Sequence, residues 1–168
     1  MTQELTELRN YINEGRYQEA LEIIDDLEQM SKKAILAKIQ SFLLRLLIHL
    51  IKNQVEQRLT NSWAVSIRDS ILKIQSLNLK ENNKSYYLKE QEWGDYLDET
   101  FEDAIFAASL EVFEGKYNPF QLRENVNEEY IKKIACHFLK MTYTYSRKAI
   151  RAEINHELSK LPGGENWQ

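Results

Sequence analysis

Apolar residues recur along this chain at intervals of three and four, the period of an α-helix with one face turned inward. Leu5, Leu8 and Ile12 mark a short first helix within residues 1–15, stopped by Gly15. Tyr17, Ala20, Leu21, Ile24, Leu27 and Met30 mark a second, with Glu19, Glu22, Asp26 and Gln29 opposite. The phase runs on through Ile35, Ile39, Phe42 and Leu46 with no Gly or Pro between. One helix over 17–59 is therefore an open alternative. At 1.5 Å per residue it would reach about 65 Å, too long for a compact domain of this size. The expectation is a break near Met30–Lys32, with Ser31 as a cap and a central helix near 31–59. The stretch Phe42–Ile51 is apolar on almost every side, which belongs in the middle of a bundle.

Further helices follow the same rule. Trp63, Ile67, Ile71 and Ile74 predict one over 63–78, capped by Asn61 or Ser62. Residues 78–92 are polar and aperiodic and read as a loop, anchored by Tyr86 and Tyr87. Trp93, Leu97, Phe101, Ile105 and Ala108 predict a helix over 93–113, stopped by Gly115. Pro119 suits the first turn of a short helix. Asn127 can cap a helix over 128–144 with Tyr130, Ile131, Ile134, Phe138 and Met141 inward. A last helix covers 146–160, and Leu161-Pro162-Gly163-Gly164 opens a frayed tail over 161–168. The fold class is all-α: one domain over 1–168, a bundle of about five to seven helices.

Composition agrees. The 168 residues include only 5 Gly and 2 Pro, too little punctuation for a β-sandwich. A single cysteine, Cys136, allows no internal disulfide and fits a reducing compartment. The start is acidic and lacks an apolar run, unlike a signal peptide. The apolar run Phe42–Ile51, broken by Arg45 and His49, is shorter than the roughly 20 residues of a membrane span. These features lead us to expect a cytoplasmic protein without a membrane partner. The net charge of −4 is unevenly spread, at −6 over 1–30, +7 over 31–91, −9 over 92–129 and +4 over 130–168. Oppositely charged helices lying side by side explain this, and predict the basic part of the 31–59 helix beside 92–114 or 17–29. A nucleic-acid surface on the +7 block is the sharper reading. Nucleic acid is not the expected partner, because acidic blocks flank the basic one.

Lys38, Ser41, Arg45, His49, Lys52 and Glu56 form one row along the central helix. It is either that helix's solvent edge or, through Arg45, His49 and Lys52, a cationic site for a phosphate or carboxylate. No G-x-G-x-x-G, P-loop, H-E-x-x-H, G-x-S-x-G or C-x-x-C occurs. Cys136 and His137 are adjacent and point about 100° apart, so they make no nucleophile–base pair. Glu153 and His156 match the E-x-x-H of carboxylate-bridged bundles, but neither His49 nor His137 completes a second copy. Glu22, Asp26 and His49 could hold a metal on paper, yet nothing specifies it. No metal and no cofactor are expected. Trp63 and Trp93 fall on core faces, whereas Trp167 in the tail suggests a docked terminus or a contact with another chain.

Three segments together carry a resemblance. They are Leu46-Leu47-Ile48-His49-Leu50-Ile51-Lys52, Trp63-Ala64-Val65-Ser66-Ile67-Arg68, and Tyr117-Asn118-Pro119-Phe120 with Leu122, after an acidic helix at 19–28. In order and spacing they resemble the bacterial domain-of-unknown-function 29 family over roughly residues 5–126. The resemblance implies an all-helical cytosolic fold and no settled activity. Members often carry an aromatic where this chain has Asn53 and an arginine where it has Ile71. By analogy, His49, Lys52, Trp63 and Arg68 are the positions to test first, beside Arg45.

The expected function is a helical interaction or adaptor module without catalysis, serving a protein partner or self-association. The alternatives are a binder or enzyme for a small anion at the Arg45–His49–Lys52 row, and a nucleic-acid accessory protein. Protein purified without chelators should contain well under one equivalent of transition metal, because no complete ligand set exists. Elemental analysis finding one or two equivalents would overturn this and promote Glu153 and His156.

Overall fold

The computed structural model describes residues 3–167; residues 1, 2 and 168, which the expected first helix and tail included, lie outside it. Among the described residues there are seven α-helices and no strand: α1 Gln3–Asn13, α2 Tyr17–Glu56, α3 Asn61–Asn78, α4 Trp93–Ser109, α5 Pro119–Glu124, α6 Glu128–Thr144 and α7 Ile150–Ser159. The all-α class is as expected. The central helix is not, because α2 starts at Tyr17 instead of near 31 and ends at Glu56 instead of 59. No break falls at Met30–Lys32, and Ser31 caps nothing. Gln29, Met30, Ser31, Lys32 and Lys33 contain no residue that interrupts a helical ladder, so local sequence prevailed over the length argument. That argument assumed one compact body. The chain divides into two compact units, Met1–Ala37 and Lys38–Gln168, and the boundary falls inside α2.

The first unit is a helical hairpin. Gly15, at φ 72°, closes α1 with paired backbone bonds, Gly15 N to Ile12 O at 3.2 Å and Arg16 N to Tyr11 O at 2.8 Å. The Arg16 guanidinium sits over the Tyr11 ring, 4.4 Å from its centroid. No side chain of α1 is buried.

The second unit holds the core. Ile39, Leu43, Leu46, Leu47, Leu50 and Ile51 of α2 are fully buried. They meet a core to which α3 gives Trp63, Ile67, Ile71 and Ile74, and α4 gives Trp93, Leu97, Phe101, Ile105 and Ala108, the stripes the periodicity predicts. From α6 come Ile131, Phe138 and Met141. By length and composition α2 could also cross a membrane, with an 18-residue window of mean hydropathy 1.7. A third of that window is buried within the protein.

Element ends follow local chemistry. Thr60, not Asn61 or Ser62, caps α3, its Oγ1 accepting from Trp63 N at 3.1 Å. Asn118 and Gln121 form a capping box around Pro119, and Asn127 caps α6. The 78–92 loop carries an isolated bridge, Leu79 to Tyr86. It is anchored by Tyr143, whose hydroxyl accepts from Trp93 Nε1 at 2.6 Å and Asn78 Nδ2 at 3.0 Å and donates to Leu88 O at 2.6 Å.

The tail expected to fray is docked instead. The buried Asn53 amide donates to Arg58 O at 2.9 Å and Pro162 O at 2.8 Å, tying the end of α2 to the C-terminal segment. Trp167 Nε1 donates to Asn155 Oδ1 at 3.2 Å. A Cβ on Gly164 would stand 2.2 Å from Leu158 O, so only glycine fits there. Asn53→Leu should therefore lower stability by about 2–4 kcal/mol, since it removes two hydrogen bonds and strands two carbonyls. Urea unfolding measures this, and a loss below about 0.5 kcal/mol would show the clamp to be idle.

Candidate functional site

The polar row of α2 lies opposite its buried stripe, and each member has a different fate. The side chain of Arg45 is exposed and donates to Ser66 Oγ of α3 at 3.2 Å. His49 is half-buried, its Nδ1 2.8 Å from Arg45 O. A carbonyl only accepts, so Nδ1 carries the proton of neutral His49. Burial pushes the His49 pKa below its ordinary value near 6.5, and the charges of Lys52 and Arg45 push the same way. The backbone hydrogen bond and Glu111 oppose them. His49 is therefore neutral at pH 7.

Lys52 is 7% exposed, and its ammonium has two partners. Glu111 Oε2 lies 3.3 Å away, and the Trp63 ring centroid 4.8 Å away. The Arg58 guanidinium is over the same indole at 4.6 Å. Arg58 also pairs with Glu56 at 3.0 Å, and Glu56 accepts from Phe113 N at 3.3 Å. These residues, with Glu114, line a cleft of about 340 Å³. Its rim is strained: Phe113 and Glu114 have φ of 46° and 58°, and Gln57 of 53°. Left-handed backbone at such residues costs on the order of 1–2 kcal/mol each.

Lys52 and Trp63 thus come together, whereas Arg45 and His49 lie outside this cleft. Arg68 stands apart, five residues beyond Trp63 on α3 and paired with neighbouring Asp69 at 3.4 Å. Asn53 and Ile71, the departures from the family pattern, are both buried in structural roles. The pairing of basic row with acidic block appears at Lys52–Glu111, on the 92–129 side. The other expected neighbour, 17–29, is the same helix and so cannot flank the row. The cleft itself mixes Lys52 and Arg58 with Glu56, Glu111 and Glu114, so it offers an anion no uncompensated positive field. Among the described residues no group of three or more His, Cys, Asp or Glu is placed to hold a metal. His156 is exposed, and Glu153 half-buried.

Sequence reasoning missed a second feature. Phe106, Leu110 and Phe120 are exposed by 51%, 78% and 71%. Phe106 and Phe120 pack edge to face at 6.1 Å, joining α4 to α5. Beside them Glu102 pairs with Arg123. The available signal was Phe106 itself, an aromatic one residue out of phase with the Trp93–Ala108 stripe.

The family described as Domain of unknown function DUF29 matches residues 3–131, which contain the cleft and the Phe106–Phe120 patch. Neither the curated proteins nor the solved structures contain a match to the chain.

The His49 geometry has a pH signature. A histidine whose folded pKa is depressed contributes stability above the unfolded value near 6.5, and that contribution fades as pH falls below it. His49→Gln should flatten the stability loss between about pH 7 and 5. NMR titration placing the His49 midpoint at or above 6.5 would refute the burial argument.

Proposed function

We propose, from the premise that the chain belongs to the DUF29 family and so borrows no named chemistry, that it is a non-catalytic protein-interaction module. The observation that carries this reading is the exposed Phe106–Leu110–Phe120 patch. Large apolar side chains gathered on a surface mark places where another protein excludes water. The segment 92–129 around the patch has net charge −9, with exposed Glu99, Glu102, Asp103 and Glu111 on or just after α4. A partner segment that is apolar on one face and basic at its edges fits this chemistry. Cys136 as the sole cysteine is consistent with a cytoplasmic setting.

The anion-binding alternative draws less support. Its histidine is neutral, its lysine is paired, and its arginine is held by a hydroxyl outside the cleft. The nucleic-acid alternative draws on a cleft containing Lys38 and Lys73. Steeply salt-dependent DNA binding would favour that alternative.

A photo-crosslinking residue placed at Phe106 or Phe120 in cells should give a discrete adduct, and one at exposed Lys140 should not. The protein in the adduct, once purified, should bind about tenfold more weakly to Leu110→Glu. No adduct at either position, or equal binding by the variant, rejects the patch as the docking surface. Saturable calorimetric binding of inorganic pyrophosphate, abolished by Arg45→Ala, would move the assignment to the anion reading.

A further inference from the structure

The hairpin of residues 3–37 keeps much of its apolar surface open. In it Tyr17, Leu21 and Met30 are 64%, 52% and 60% exposed, and Leu5 and Ile12 of α1 are 41% and 48% exposed. Within α2, Ile23, Leu27, Met30 and Ala34 recur at spacings of four, three and four, the seam of a helix that pairs with another helix. Ile23 and Leu27 are half-buried, and Met30 and Ala34 are exposed.

We propose that this seam is a self-association surface, on which two copies of the chain pair antiparallel along residues 23–34 of α2. Charge selects the occupant and the direction. Between Tyr17 and Glu28, α2 carries Glu19, Glu22, Asp25, Asp26 and Glu28 and no basic residue; Lys32 and Lys33 follow. Asp26 and Lys33 are exposed and stand seven residues apart, each just before a seam residue, Leu27 and Ala34. A two-fold axis between Leu27 and Met30 sets Asp26 against Lys33 of the second copy, and the symmetry repeats the pair. The same axis puts Leu27 against Met30 of the second copy and bulky Ile23 against small Ala34. A parallel pair would instead set Lys33 beside Lys38 and Asp26 beside uncharged Ser31 of the second copy, with no opposite charges to meet. A like-charge contact of that kind is what specific helix pairs avoid.

The test is sedimentation equilibrium of the full chain over a concentration series. It should fit a monomer–dimer equilibrium with a 19.9 kDa protomer. Asp26→Lys and Lys33→Asp should each raise the dissociation constant by about tenfold or more, with unchanged circular dichroism, because each juxtaposes like charges. Mixing the two variants should restore a dimer containing one of each, since both pairs then become Lys–Asp. A monomer at all concentrations overturns the proposal. So do single variants that dimerise like the parent, or a mixture that fails to recover.

Discussion

The buried stripe of α2 from Ile39 to Ile51 is the constraint on which the second unit depends. Six aliphatic side chains there are removed from water, each contributing roughly 1.5–3 kcal/mol against the entropy of ordering the chain. Fixing that stripe fixes the helix's rotation, which turns Arg45 outward, leaves His49 half-covered and draws Lys52 under the edge of α3. Lys52 survives burial because its stem lies along apolar surface while its ammonium meets the Trp63 face and Glu111. Reading the row as one site treated three positions as equivalent. Their surroundings make them unlike: one solvated cation, one neutral imidazole and one neutralised ammonium.

Around the end of that stripe, strain and hydrogen bonding are coupled. Gln57 turns left-handed directly after α2, which frees Arg58 to reach back over Trp63 and lets the Arg58 carbonyl meet Asn53. Glu56 reaches across to the amide of Phe113, where another left-handed pair begins. Two tight turns from distant parts of the sequence are thus held by side chains of one helical turn, Asn53 and Glu56. Gly163, also left-handed, sits where a Cβ would come within 2.8 Å of Arg58 Cα, so the C-terminal segment closes on the same turn.

What the sequence made legible follows from where the physics is local. Helix existence, the core stripes of α3 and α4, the Asn127 cap and the stop at Gly15 are set by neighbouring residues, and periodicity exposes them. The Glu56–Phe113 and Asn53–Pro162 contacts join residues 57 and 109 positions apart, and no spacing rule reaches that far. The tail illustrates the same limit. Pro-Gly-Gly is a breaker by local rules, yet those glycines are there because backbone approaches backbone. The continuity of α2 was lost for the opposite reason, since a global size argument overrode a local pattern that contained no breaker.

That continuity raises a physical question about α2 itself. Its first half gathers acidic residues at helical-neighbour spacings: Glu19 with Glu22, Glu22 with Asp25 and Asp26, Asp25 with Glu28. Like charges three or four apart destabilise a helix by a few tenths of a kcal/mol per pair. Opposite charges at that spacing are few here, Glu28 with Lys32 in the middle and Arg16 with Glu19 at the start. The macrodipole favours acid only in the first turn, so it cannot offset repulsion as far along as Glu28. Nor does burial within the hairpin, where Ala20 is the one buried apolar side chain among the described residues. An alternating arrangement of the same residues would serve an isolated helix better. Segregating acid before residue 29 and base after residue 31 becomes favourable when a second helix of the same pattern runs the other way. Each acidic stretch then lies along a basic one, and the repulsion within a helix is met by attraction between helices.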